Sequence, residues 1–175
     1  MSKFNDMTIF TVGHSTRSVE DVVAMLREHE VTTLVDIRSI PRSRFNPQFN
    51  KDSVPDDLAQ SGIDYVYMAD LGGMRKQRKE SANSGWRNAS FRGYADYMGT
   101  EEFTRALNLL IDLAQKSKTA IMCAEAVPWR CHRSLVGDAL SVRGIEVIDI
   151  MGLGKVKLHR PTPFVRVEND TLTYP

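Results

Sequence analysis

The stretch TIFTVGHSTRSVEDVVAMLREHEVTTLVDIRS, residues 8–39, predicts a strand, a helix and a second strand in succession. Thr8 to Gly13 is a short β-rich run closed by glycine, and Val19, Val22, Val23 and Leu26 then recur at helical spacing between Ser18 and Glu30. Ser18 stands where an N-cap belongs, with Glu20 and Asp21 in the first turn near the positive end of the helix dipole. Thr33 to Ile37 is apolar without alternation, which suits a strand covered on both faces.

The same unit recurs downstream. PDDLAQSG reads as a short helix stopped at Gly62, followed by the strand IDYVYM. Thr100 to Ser117 carries one apolar stripe through Phe103, Ala106, Leu107, Leu110 and Leu113, with Glu101 and Glu102 at its start. TAIMCAE is a fourth strand, CHRSLVGDALSVRG a helix stopped at Gly144, and IEVIDI a fifth strand. Strands alternating with helices imply right-handed crossovers, hence an α/β fold: a mainly parallel, Rossmann-like sheet with helices on both faces. Period-two alternation around Asn169-Asp170 predicts a C-terminal β-hairpin within residues 162–175. Residues 72–99 are expected to form a long irregular loop carrying Arg75, Lys76, Arg78, Lys79, Arg87 and Arg92 among Trp86, Phe91, Tyr94 and Tyr97.

The chain of 175 residues, 42% hydrophobic, is of a size for one core, so residues 1–175 are read as a single α/β domain. A net charge of +1 excludes a whole-molecule field that attracts nucleic acid or membrane, leaving any anion preference to local clusters. The opening residues lack the apolar core of a secretory signal, and no stretch approaches the ~20 apolar residues of a bilayer span. With only two cysteines the expected compartment is the reducing cytoplasm, with no membrane association.

In open α/β sheets ligands bind beyond the carboxyl ends of the strands. Four such ends are chemically rich here: GHST, DIRSIPRSRFNPQFN, DLGG and CAEAVPWRCHR. His14 and Ser15 follow the first strand, and His14 reads equally as a ligand-binding or proton-transferring group and as a structural histidine bonding a loop carbonyl. Arg38, Arg42 and Arg44, with Ser39, Ser43 and Asn46, read as an anion cradle, or else Asp36 and Arg38 form an internal ion pair and the others face solvent.

The fourth end holds Cys123, Glu125, Arg130, Cys131, His132 and Arg133. Cys123 and Glu125, two apart on a strand, are expected to face one pocket, and Cys131 to Arg133 to lie near a helix N-terminus, which favours thiolates and anions. Several readings stay open. Cys123 as nucleophile has an arginine seven residues on, one residue more than the cysteine-phosphatase loop and without its glycine-rich turn. A zinc site would draw on Cys123, Glu125, Cys131 and His132, whose spacing matches no common knuckle. Glu125 as acid, base or nucleophile is the preferred reading, because a glutamate in an apolar strand needs a partner or a task. A purely structural version pairs Glu125 with Arg133 or Arg38 and leaves both cysteines as core residues.

Taken together, TVGHSTRSVEDVVAMLREHEVTTLVDIRSIPRSRFNPQFN, LGG, FRGYADYM and IMCAEAVPWRCHRSLVGDALSVRGIEVIDI resemble the bacterial and archaeal domain-of-unknown-function family numbered 488. The markers are Gly-His-Ser, Asp-Ile-Arg-Ser-x-Pro-x-Ser, Phe-Asn-x-x-Phe-Asn, and Cys-Ala-Glu with Cys-His-Arg. The resemblance implies an α/β fold and cytosolic residence and carries no established reaction. Its motif positions here are His14, Ser15, Arg38, Ser39, Pro41, Ser43, Asn46, Tyr94, Cys123, Glu125, Cys131, His132 and Arg133.

The expectation is therefore an enzyme with no cofactor or bound metal ion, acting on an anionic, nucleotide-like or nucleic-acid substrate at the carboxyl rim of the sheet. Glu125, Cys123, His14 and His132 are its candidate reactive groups. Ser15, Arg38, Ser39, Arg42, Ser43, Arg44, Asn46, Tyr94, Cys131 and Arg133 are its candidate binding groups. The alternatives are a non-catalytic nucleic-acid-binding module that uses the basic loop, and cysteine chemistry of the rhodanese or phosphatase kind.

Overall fold

A computed structural model describes residues 6–175. Strand β1 (Thr8–Gly13), helix α1 (Val19–Arg27) and strand β2 (Thr33–Asp36) stand where the sequence places them, and the Ser18 hydroxyl accepts from Asp21 N at 3.0 Å as the α1 cap. They are followed by α2 (Val54–Ala59), β3 (Asp64–Tyr67), α3 (Ala89–Tyr97), α4 (Glu101–Lys116) and β4 (Thr119–Cys123). The chain ends with α5 (Arg133–Ser141), β5 (Glu146–Gly152), β6 (Lys155–Leu158) and the separate hairpin β7 (Arg166–Glu168) and β8 (Thr171–Thr173). Asn169 and Asp170 hold positive φ (52° and 65°) at the hairpin turn, a conformation their short polar side chains tolerate.

The main sheet has the order β3-β2-β4-β1-β5-β6, parallel except for β6, which returns antiparallel on β5. Successive side chains of each strand face opposite sides, and both sides are apolar. Phe10, Val12, Leu34, Ala120 and Met122 pack under α1 and α2, through Val22, Leu26, Val54 and Leu58. Ile9, Val35, Ile121 and Cys123 pack on the other face against Tyr94, Leu107, Leu110, Leu135 and Val136 of α3, α4 and α5. This double cover accounts for the unbroken apolar runs in the strands. Among the described residues no helix is long and apolar enough to cross a membrane.

Two elements depart from the sequence reading. Residues 72–99 are not irregular throughout, because α3 occupies Ala89–Tyr97, with the Asn88 side-chain oxygen Oδ1 accepting from Ser90 N at 2.8 Å as its cap. Its apolar side is broken by Gly93, and glycine is required there: a Cβ would lie 2.2 Å from the Arg75 carbonyl oxygen. Strand β6 was not expected either, since all four of its residues are exposed and it reads as a charged linker.

The order of the sheet sets the position of the site. Chain leaving β1 and β2 goes to α1 and α2 on one face, whereas chain leaving β4 goes to α5 on the other. Because β4 lies between β2 and β1, the connections diverge on both of its sides and leave a crevice at its carboxyl end.

Candidate functional site

Cys123, the last residue of β4, opens into this crevice. A cavity of about 340 Å³ is bounded there by Cys123, Cys131 and His132, by Arg38 and Ser39 beyond β2, and by the apolar Ile40, Met74 and Phe91. A larger depression, about 780 Å³, runs along α1 and α2, but it is lined by side chains such as Arg17, Glu20, Arg27 and Asp57 and contains no thiol, so size alone does not make it the better candidate.

Arg133, at the first turn of α5, is wholly buried, and no carboxylate lies within ion-pair distance of it among the described residues. Its guanidinium donates to Cys123 Sγ at 2.8 Å, to the carbonyl of Glu125, to the carbonyl of Ala126 at 3.1 Å and to Thr11 Oγ1 at 3.2 Å. Thr11 passes the contact on by donating to the buried Asp149. A buried cation is costly without an adjacent anion, and the Cys123 sulfur is the group in direct contact that can carry the charge. Burial alone raises the Cys123 thiol, but the Cys131 thiol and the charge and hydrogen bond of Arg133 outweigh it and bring Cys123 below the ordinary thiol range. Cys131 moves the opposite way: the hydrogen bond it gives Cys123, then burial, push it well above that range. The two Sγ atoms are 2.6 Å apart, and both cysteines are free.

The backbone after Cys123 is arranged with equal economy. The carbonyls of Cys123 and Ala124 accept from His14 N at 3.0 Å and Ser15 N at 2.9 Å, so both face β1. Every peptide among the described residues is trans, and in a trans peptide the N–H opposes the preceding carbonyl. The amides of Ala124 and Glu125 therefore point away from β1, both residues line the cavity, and no group among the described residues accepts from them. Two donors without an acceptor beside the Cys123 sulfur are an arrangement able to receive negative charge. Close contact of β1 with this turn depends on Gly13, where a Cβ would sit 1.7 Å from the Glu125 carbonyl oxygen and 2.9 Å from Ala126 Cα. Since both obstacles are backbone, Gly13→Ala is expected to destabilise the protein by about 3 kcal/mol or more, and a urea-unfolding midpoint equal to that of the parent would refute the contact.

Burial favours the uncharged form of both rim histidines. His132 donates from Nε2 to the Ile37 carbonyl at 2.9 Å, leaving the Nδ1 lone pair 3.5 Å from Cys131 Sγ. Burial, reinforced by the charge of Arg133 and opposed by the carbonyl bond, lowers it to about 4. His14 is buried and stacks on Phe49 at 4.4 Å. It bonds the Ser15 carbonyl at 2.8 Å through Nδ1 and accepts from Arg38 at 3.3 Å through Nε2, which is the structural alternative. Burial, then the charges of Arg38 and Arg17, lower it as well.

The other candidates divide into three groups. Arg38 lines the cavity, but its guanidinium is bonded to buried Asp36 at 2.9 and 2.7 Å and to the Phe49 carbonyl at 2.7 Å, the internal ion pair rather than a free fork. Ser39 receives Met74 N on its hydroxyl at 2.8 Å and holds the cavity wall. Tyr94 is fully buried behind His132, edge-on at 5.1 Å, with its hydroxyl on the Leu71 carbonyl at 2.9 Å. Arg42 pairs with Asp52 at 3.3 Å in solvent, Arg44 is exposed, and neither lines the cavity, so three arginines do not converge into one cradle. Ser43 and Asn46 shape the loop instead, the Ser43 hydroxyl accepting from Asn46 N at 3.2 Å, and Ser15 occupies a positive-φ turn.

Glu125 lies two residues beyond the end of β4, not within it, and its side chain is exposed at the cavity mouth near Arg130. It forms none of the expected ion pairs with Arg133 or Arg38, and its carbonyl is what meets Arg133. No three His, Cys, Asp or Glu side chains are placed to share a metal ion among the described residues. Of the basic loop, Arg75 stacks on Tyr97 at 3.7 Å and bonds the Gly72 carbonyl, and Arg92 bonds the Trp86 carbonyl, while Lys76, Arg78, Lys79 and Arg87 are exposed. Sequence reasoning overlooked Thr11, Ile40 and Met74. Only Thr11 carried a signal, as a hydroxyl within an otherwise apolar strand.

A family model described as Domain of unknown function DUF488 matches residues 18–140. No curated protein and no solved structure matches the chain. The matched residues include Cys123, Cys131, His132 and Arg133, so that the thiol pair and its buried guanidinium lie inside the family's own domain, and the chain belongs to this domain family of unknown function.

Proposed function

We propose that the protein is an enzyme whose Cys123 acts as a thiolate nucleophile on a small electrophile bound at the carboxyl rim of the sheet. The observation that carries this reading is the buried Arg133 guanidinium, which contacts the Cys123 sulfur at 2.8 Å and, among the described residues, reaches a carboxylate only indirectly, through Thr11 to Asp149. A cysteine serving only as core has no use for a buried cation, whereas a thiolate both stabilises that cation and is stabilised by it. The amides of Ala124 and Glu125 accommodate charge that develops on the substrate, and Ile40, Met74 and Phe91 give the cavity an apolar wall. Arg130, exposed at the mouth, is the cation left for an anionic part of the substrate, since Arg38 and Arg133 are committed inward. Cysteine chemistry thus has more support than a carboxylate mechanism through Glu125.

Alkylation by iodoacetamide tests the reading without a known substrate. The expected result is modification at Cys123 with a pH midpoint at least about one unit below the ~8.5 of an unperturbed thiol. Labelling that follows an ordinary thiol curve, or that falls on Cys131, would overturn it.

A further inference from the structure

A nucleophilic mechanism uses one thiol, and this cavity holds two in contact. Cys131 reaches Cys123 because a single 3-10 turn, Pro128–Arg130, folds the chain back, and Cys131 N bonds the Pro128 carbonyl at 3.0 Å. Arg133 N then donates to Cys131 Sγ at 3.4 Å, which keeps the sulfur on the cavity side of the α5 N-terminus. Acyl or phosphoryl transfer gives a second thiol nothing to do. Phosphoryl transfer also needs guanidinium forks aimed at the substrate, and here Arg38 is bonded to Asp36 and Arg133 to Cys123 and two carbonyls. A sulfur–sulfur bond is the electrophile that suits a dithiol in a largely apolar pocket.

Building on the Cys123 reading above, we propose that the substrate contains an S–S bond, in a small disulfide or persulfide, and that Cys131 is the resolving thiol. The Cys123 thiolate attacks one sulfur of R–S–S–R, the S–S bond breaks, and RS⁻ leaves, giving Cys123–S–S–R. Cys131 Sγ then attacks Cys123 Sγ. Its proton goes to the departing second RS⁻, which leaves as RSH, and Cys123 and Cys131 are joined. Two electrons move from the protein dithiol to the substrate disulfide, which becomes two thiols, and an external dithiol returns the protein to its reduced form. With a persulfide R–S–SH the first step leaves Cys123–S–SH and the second releases HS⁻. The pair is self-timing: Cys131 is held protonated by the hydrogen bond to Cys123, and once Cys123 is covalently bonded and uncharged that restraint is gone while Arg133 remains beside the site.

The test uses the reduced full chain, Cys123→Ser, Cys131→Ser and Cys131→Ala, each mixed with bis(2-hydroxyethyl) disulfide or, separately, glutathione persulfide, acid-quenched in time and read by intact mass. The parent is expected to pass rapidly to a species lighter by two hydrogens. Both Cys131 variants should accumulate the Cys123 mixed disulfide, or the species heavier by one sulfur, with a lifetime at least about tenfold longer than in the parent. Cys123→Ser should show neither. A parent that stops at the same adduct as the Cys131 variants would overturn the resolving role and leave the Cys123 nucleophile standing. Absence of any adduct at Cys123 in every form, with iodoacetamide also directed elsewhere, would overturn both. If Cys131→Ser folds poorly, Cys131→Ala, which buries no hydroxyl, decides the outcome.

Discussion

Cys123→Ser is expected to lower single-turnover thiol release from bis(2-hydroxyethyl) disulfide by about 10⁴-fold or more, whereas Glu125→Gln should stay within about tenfold of the parent. The asymmetry follows from where each residue spends its atoms. The Cys123 sulfur is the reacting atom and the partner of Arg133, so serine removes both the nucleophile and the charge that makes the buried guanidinium tolerable. Glu125 contributes a carbonyl to Arg133 and an amide on the cavity side, and glutamine keeps both, because its changed side chain is exposed at the mouth. Comparable losses in the two variants would return Glu125 to the centre of the mechanism.

Arg133→Met is expected to cost about 3–5 kcal/mol of stability and to move the alkylation midpoint of Cys123 up into the ordinary thiol range. Methionine fills much of the volume but strands the Glu125 and Ala126 carbonyls and leaves the thiolate uncompensated. Arg133→Lys should recover the thiol midpoint in part and the stability incompletely, since one ammonium cannot reproduce a fork that reaches four acceptors. The pH dependence has a definite sign. The folded-state pKa of Cys123 is depressed, so its contribution to stability is present above the unfolded thiol value of about 8.5 and is lost as pH falls through the folded value. The stability gap between parent and Arg133→Met should therefore narrow on going from pH 8.5 to 6. The raised Cys131 thiol acts in the opposite sense only above that range. Urea midpoints across this interval measure the effect, and a gap independent of pH would show that Arg133 stabilises by packing and neutral hydrogen bonds alone.

Much of the architecture was legible because its causes are local. Ser18 caps α1, the stripe from Phe103 to Leu110 marks the buried face of α4, and Asn169-Asp170 turns the terminal hairpin. Where local cues were weak the reading lapsed: α3 has only a fragmentary apolar side, interrupted by Gly93, and β6 has no buried residue. The rim was legible for the same reason as the strands, since the carboxyl end of each strand follows from where its apolar run stops. The ranking of residues within the rim was not. Glu125 was assigned to a strand that ends at Cys123, where Gly13 meets the Glu125 carbonyl, and Arg38 proved to belong to Asp36.

By itself the sequence determined an α/β domain, a doubly covered parallel sheet and four polar strand ends on one edge, because periodicity and caps act over one turn or one strand. Only the tertiary structure decided that β4 enters between β2 and β1, that Arg133 is sealed against Cys123, and that Cys131 touches it. Those contacts depend on the order of strands and on which backbone carbonyls consume the guanidinium, and no residue's immediate neighbours in the chain encode either.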